Sequence, residues 1–228
     1  MSASSECKRD FVSSELGTKN YWDETYGREI KSFNDFGDVG EIWFGEDSQE
    51  RVLDWLEDCD SVTTDDPVLD LGCGNGMMLI EMTRRGYTNL TGVDYSNGAI
   101  ELAKAIAEKE EITCITYQVA DLIATDCTQK YTCLTRQYKI VIDKGTYDAI
   151  SLIPDSEVEA RQAYLKTVKH LVVEDGIFVI TSCNWTKDQL LQFFKPEFEL
   201  FKKIPTPSFQ FGGQMGSTVT SLVLKPKS

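Results

Sequence analysis

The chain has 228 residues, 41% of them hydrophobic, which is enough for one sizeable core, and no Pro/Gly/Ser-rich linker divides residues 16 to 224. Thirty-seven acids against 23 bases, a formal charge of −14, argue against direct nucleic-acid binding, which needs clustered Lys and Arg, and are compatible with a basic protein partner. The absence of an 18-residue apolar run and of an apolar leader segment predicts a soluble, unexported chain, and an odd seven cysteines (Cys7, Cys59, Cys73, Cys114, Cys127, Cys133, Cys183) with no Cys-x-x-Cys predict reduced thiols, with no metal site.

Taken in order, residues 1–15 read as a disordered tail, 16–66 as a helical, aromatic-rich cap and 67–228 as the core, all in one compact domain. Tyr21, Trp22, Tyr26, Phe33, Phe36, Trp43 and Phe44 crowd the cap. A helix over 19–33 places Trp22, Tyr26, Ile30 and Phe33 on one stripe at spacings of four, four and three, a pattern that usually faces a core. Gly37, Gly40 and Gly45 then break the pattern. The loop between them presents Trp43 and Phe44, either as a lid or as the flank of a channel. A helix over 48–56 leads into the first strand.

That strand, Val68 to Leu71, empties into Gly72-Cys73-Gly74-Asn75-Gly76, with a helix predicted from Asn75 or Gly76 to Arg85. Glycine turns of this kind are often no more than tight strand-to-helix connections, and spacing decides between ligands. Met77 stands where the dinucleotide fingerprint needs a small residue, and no Gly-Lys-Ser/Thr follows for a P-loop. The remaining pattern, Asp70-x-Gly72-x-Gly74-x-Gly76, resembles motif I of class I S-adenosylmethionine-dependent methyltransferases. A second strand, Leu90 to Asp94, ends in an acid suited to accept from both ribose hydroxyls, followed by Tyr95 and Ser96. The cofactor shell is therefore expected to include Asp70, Gly72, Cys73, Gly74, Asn75, Gly76, Asp94, Tyr95 and Ser96.

Beyond it come a helix over 97–110, a third strand over 113–120, and Asp121-Leu122. Asp121 reads equally well as an acceptor for the adenine amine, with Leu122 against the ring, or as an ordinary turn or helix cap. Residues 123–138 read as a surface loop or short irregular helix. A fourth strand over 138–142 ends in Asp143-Lys144-Gly145-Thr146-Tyr147. In a doubly wound sheet the site lies outside the carboxyl ends of the strands, which aims Asp143 at the reaction centre or its rim. A helix over 156–172, a strand over 176–182, a helix over 186–194 capped by Thr186, and strands over 198–204 and 218–224 complete the pattern. His170 falls at a helix end and reads as structural.

Several stretches together resemble the elongation factor 1-alpha lysine methyltransferase 2 family of eukaryotes: Leu16-Gly17-Thr18, Tyr21-Trp22-Asp23, Gly40 to Glu46, Asp143 to Leu152, Thr181 to Thr186, and Pro205-Thr206-Pro207 with Phe211-Gly212-Gly213. The resemblance runs from about residue 16 to 224. It implies an α/β, Rossmann-like doubly wound seven-stranded sheet with the last strand antiparallel, S-adenosyl-L-methionine as cofactor, and a lysine of elongation factor 1-alpha as acceptor. It also implies a monomer in the cytoplasm, with the nucleus as a further compartment. Asp143 is expected to orient the lysine ammonium, Tyr147, Asn184 and Trp43 to shape the channel, and Asp143 and Trp43 to reach the cofactor as well. The Asn/Asp-Pro-Pro-aromatic signature of amide and base methylation is absent after the fourth strand. A small-molecule methyltransferase and a methyltransferase-like interaction module remain the other readings.

Overall fold

A computed structural model describes residues 12–211, 214–217 and 219–227; residues 1–11 of the expected tail, Cys7, Gly212 and Gly213 lie outside them. Helix α1 (Lys19–Phe36) starts at Thr18, whose side chain accepts from the Tyr21 amide, and stops at Gly37, which takes φ +75. Helix α2 (Glu46–Glu57) follows the glycine-rich loop. The core then alternates strand and helix: β1 (Val68–Leu71), α3 (Met77–Arg84), β2 (Leu90–Asp94), α4 (Asn97–Lys109), β3 (Ile115–Val119), α5 (Cys127–Lys130), β4 (Tyr138–Lys144), α6 (Thr146–Ile150), α7 (Glu157–Leu171), β5 (Val172–Ser182), α8 (Lys187–Phe194) and β6 (Phe198–Ile204). Two short strands, β7 (Ser208–Phe211) and β8 (Gln214–Ser217), precede β9 (Thr220–Pro226).

Seven strands form one sheet in the order β3-β2-β1-β4-β5-β9-β6. The first five in chain order run parallel, and β9 slots between β5 and β6, antiparallel to both. Alternation along the strands divides the core into two layers. Leu69, Leu71, Val141, Phe178 and Ile180 face α6, α7 and α8, while Val68, Ile140, Ile142, Ile177 and Val179 face α2, α3 and α4. Tyr26 and Phe33 of α1 are buried against Ala99, Leu102 and Ile106 of α4, with Trp22 and Ile30 packed beside them, so the predicted stripe is a packing face. The chain order reverses between β1 and β4, which opens a crevice at their carboxyl ends.

Residues 123–138 take the second of their two readings, a short irregular helix: α5 is followed by a 3-10 turn over Thr132–Leu134, and Cys127, Cys133 and Leu134 are buried against α7, with the Cys127 thiol 3.3 Å from the Thr167 hydroxyl. Cysteine here behaves as a small hydrophobe. The fourth strand continues two residues past 142, pairing Asp143 with Ile180 and Lys144 with Thr181. The connection before the last strand contains the β7–β8 ribbon, paired from Ser208–Ser217 to Phe211–Gln214. Among the described residues no helix is long and apolar enough to cross a membrane.

Candidate active site

The crevice holds a cavity of about 400 Å³. One end is built by the turns that follow β1, β2 and β3. Gly72 takes φ +65, and a Cβ there would run into the Thr146 hydroxyl, which donates to the Leu71 carbonyl at 2.6 Å. Gly74 takes φ +54 with the Tyr26 hydroxyl 2.7 Å from where its Cβ would sit. Bare glycine lets the loop close here between α1 and α6. Asp94 stands at the tip of β2, one carboxylate oxygen accepting from the Gly74 amide at 3.1 Å and the other from the Ser96 amide at 2.9 Å. Burial raises its pKa to about 6, against the pull of those amides.

Tyr95 and Leu122 line the same end, with the Lys19 ammonium 5.5 Å from the Tyr95 ring centre. The turn reading of Asp121 is met, one oxygen accepting from the Ile123 amide at 3.0 Å, and the residue also borders the cavity.

The opposite wall is aromatic. Trp22 and Tyr26 of α1 and Trp43 and Phe44 of the loop before α2 all line it, Trp22 and Trp43 meeting edge to face at 5.0 Å. Trp22 donates to the Leu16 carbonyl at 2.7 Å, which draws the segment before α1 over the cavity. Phe44, held at φ +64, lies against Gly145, where a Cβ would come within 3.1 Å of the ring. Lys144 secures this loop from the sheet side: its ammonium donates to the Trp43 carbonyl at 3.0 Å. Burial lowers the Lys144 pKa, opposed by the charges of Asp70 and Asp143. At the far end stand Asp148, Cys183 and Asn184.

Of the residues expected from the sequence, Trp43, Gly72, Asp94, Tyr95, Asp121, Leu122 and Asn184 line the cavity. Asp143 and Tyr147 do not. With β4 extended, the Asp143 side chain enters the interior, where it accepts from the Thr146 amide at 3.0 Å, the Tyr147 amide at 2.9 Å and the Tyr164 hydroxyl. Burial raises its pKa to about 7, and the residue is fully buried away from the cavity wall, out of reach of an ammonium there. The Tyr147 ring is enclosed by Tyr164, Trp185, Phe193 and Phe194.

Six more of the expected cofactor residues shape the loop from behind instead of facing the cavity. Asn75 clamps the aromatic loop, donating to the Val39 carbonyl at 3.0 Å and the Glu41 carbonyl at 3.2 Å. Gly74 and Ser96 hold Asp94 through their amides, and the Cys73 amide pairs with the Val93 carbonyl at 2.9 Å. Gly76 caps α3. Asp70 is buried beside Lys144, its pKa raised to about 7 by burial. Sequence reasoning missed Lys19, Lys144 and Asp148. Trp22 and Tyr26 were legible only as a packing stripe, since one helix face serves both the core and the cavity.

A family model described as a methyltransferase domain matches residues 63–218. EEF1A lysine methyltransferase 2 of Danio rerio is 48% identical over 216 residues, which span 95% of this chain and 90% of that protein. This chain belongs to the EEF1A lysine methyltransferase 2 family. The Homo sapiens member of the same name is 45% identical over 215 residues, 94% of this chain and 88% of its own. A protein-lysine N-methyltransferase of Schizosaccharomyces pombe, efm4, is 38% identical over 230 residues, 93% of this chain and 94% of its own. Among solved structures, the magnesium protoporphyrin IX methyltransferase of Synechocystis with bound SAM superposes with TM-score 0.65 at 16% identity, over 96% of this chain and 100% of that one, a likeness of fold. In this member of the EEF1A lysine methyltransferase 2 family, the aromatic loop and the segment after β4, both carriers of the resemblance, meet at the cavity through Phe44 and Gly145.

Proposed function

We propose that the chain transfers a methyl group from S-adenosyl-L-methionine to the side-chain nitrogen of a lysine in elongation factor 1-alpha. The observation that supports this most is a single cavity with a doubly anchored carboxylate, Asp94, at one end and four aromatic rings along its wall. The residues fit the cofactor. Each Asp94 oxygen accepts one amide and keeps a lone pair for a ribose hydroxyl, and Asp121 keeps one oxygen free of its turn for an adenine amine. Gly72 presents bare backbone to the cavity. The relatives named as lysine methyltransferases of EEF1A, matched along nearly their whole length, supply the acceptor.

S-adenosyl-L-methionine supplies a methyl group on a sulfonium, an already activated leaving group. The chain's own task is to align and to desolvate. A lysine amine has a reference pKa near 10.4, so only about one in a thousand is neutral at physiological pH. Trp22, Tyr26, Trp43 and Phe44 exclude water from the amine and thereby lower that pKa. With Asp94 and Asp121 holding the cofactor at one end, the aromatic wall would keep the neutral nitrogen in line with the methyl group that the bound cofactor would supply. His170, the chain's single histidine, is exposed on α7, and the amine's proton leaves through water. The reading includes a monomer acting in the cytoplasm on a basic protein surface, which suits a chain of charge −14.

Incubating the protein with methyl-labelled S-adenosyl-L-methionine and cell extract tests the proposal. Label in one protein that co-migrates with elongation factor 1-alpha is the expected result. Label confined to the low-mass fraction would replace it with a small-molecule reaction, and cofactor binding with no label anywhere would point to an interaction module.

A further inference from the structure

The described residues that line the cavity include three carboxylates: Asp94, Asp121 and Asp148. The first two stand at the tips of β2 and β3. Asp148 stands apart from them, in the first turn of α6, next to the Cys183-Asn184 turn that ends β5. Its oxygens are held by neutral donors, one by the Ser182 hydroxyl and the other by the Cys183 amide at 2.8 Å, with the Cys183 thiol and the Asn184 amide adding weaker support. The Ser182 hydroxyl in turn accepts from the amides of Asn184 and Trp185 at 3.2 and 3.0 Å, so the carboxylate is fixed in direction. Among the described residues no lysine, arginine or histidine forms an ion pair with it. The two lysines on the cavity wall are engaged elsewhere, Lys144 with the Trp43 carbonyl and Lys19 with Asp23 at 2.6 Å. A buried carboxylate with neutral donors and no counter-charge is incompletely compensated for the water it has lost, and a guest that carries a cation removes that deficit. Burial indeed raises the Asp148 pKa above the ordinary carboxylate value.

We infer that Asp148 is the residue that receives the ammonium of the incoming lysine and orients its nitrogen toward the cofactor end of the cavity, with Asn184 beside it. This rests on the lysine methyltransferase reading and moves the acceptor-binding role from Asp143, fully buried away from the cavity, to the acid on the cavity wall. The separation fits the chemistry. A carboxylate that gathers the ammonium raises its pKa, whereas the aromatic wall lowers it, so recognition and deprotonation are assigned to opposite sides of one cavity.

Asp148→Asn keeps the shape and one acceptor oxygen while removing the charge. In the protein loaded with S-adenosylhomocysteine, n-butylammonium, a lysine side-chain mimic, should bind at least about tenfold more weakly to this variant than to wild type, with Asp148→Glu recovering part of the loss. Affinity for S-adenosylhomocysteine itself should stay within about twofold, and kcat/KM for elongation factor 1-alpha should fall at least about thirtyfold, chiefly through KM. Wild-type protein offers a check that needs no variant: butylammonium should shift the carboxyl carbon resonance of Asp148 and leave that of Asp121 in place. Equal butylammonium affinity in wild type and Asp148→Asn, or no shift at Asp148 on saturation, would overturn the assignment. A wild-type protein that binds butylammonium through Asp148 yet methylates no protein would instead overturn the proposed function and leave the ammonium site standing.

Discussion

Replacing Asp94 by Asn tests the cofactor end of the cavity through one side chain. Its two oxygens accept from the Gly74 and Ser96 amides and, in the proposed complex, from two ribose hydroxyls. Asparagine has one acceptor oxygen, so it cannot hold both amides and both hydroxyls. Hydrogen bonds to a charged acceptor contribute about 1.5–3 kcal/mol each, and losing the equivalent of one ribose bond should weaken binding by about 2 kcal/mol, or about thirtyfold in Kd. Wild type adds a pH signature. With the free-state pKa of Asp94 near 6, the unliganded protein carries a proton at pH 5 that binding must expel, so affinity should drop about tenfold between pH 7.5 and pH 5. Affinity rises with pH here because the ionised form is the one that accepts from the ribose. Calorimetry with S-adenosylhomocysteine at pH 5, 6 and 7.5 measures both effects. An Asp94→Asn affinity within twofold of wild type at pH 7.5, or a wild-type affinity flat with pH, would refute the placement of the ribose.

Asp143→Asn should act on the fold instead of the chemistry. Three donors converge on the carboxylate, and leaving part of them unpaired costs about 2–3 kcal/mol, a fall of about 4–12 °C in Tm by differential scanning calorimetry, with cofactor affinity nearly unchanged. An unshifted Tm together with lost turnover would return Asp143 to the reaction centre. Lys144→Met should free the Trp43 carbonyl from its donor and loosen the aromatic wall. Hydrogen exchange followed by mass spectrometry should then show faster exchange at residues 43–45 and unchanged protection in β4, and unchanged exchange at 43–45 would show that Phe44 and Asn75 hold the loop without Lys144.

The features legible in the sequence are the ones that local chemistry determines. The apolar run from Val68 and the glycines at 72, 74 and 76 specify a buried strand and a positive-φ turn wherever they occur, and the acid of Asp94 ends its strand in the same way. Where reading failed, the deciding contact was distant. Ending the fourth strand at 142 turned Asp143 toward the cavity, but pairing with Ile180 and Thr181 of β5 carries the strand to Lys144 and swings Asp143 under Tyr164. Side chains alternate along the extended strand, so Asp143 follows Val141 into the layer beneath α7. Asn75 looked like a cofactor residue by its place in the motif, yet its amide is engaged by carbonyls 34 and 36 residues away, which no local pattern reveals. Lysine at 144 reads as a surface residue by type, and the Trp43 carbonyl together with the charges of Asp70 and Asp143 draws it inward. Asp148 carries no motif of its own; its significance appears once Ser182 and Cys183 are seen holding it at the cavity wall.

Transfer of a methyl group from a sulfonium to a lysine of elongation factor 1-alpha is read out by incubating the purified protein and recombinant elongation factor 1-alpha with deuteromethyl S-adenosyl-L-methionine, followed by tandem mass spectrometry of the digested acceptor. Deuterated methyl on the side-chain nitrogen of lysine is the expected result, strongly reduced in a parallel reaction with Asp94→Asn at limiting cofactor. A fully unlabelled acceptor at saturating cofactor, or label on any side chain other than lysine, would contradict it.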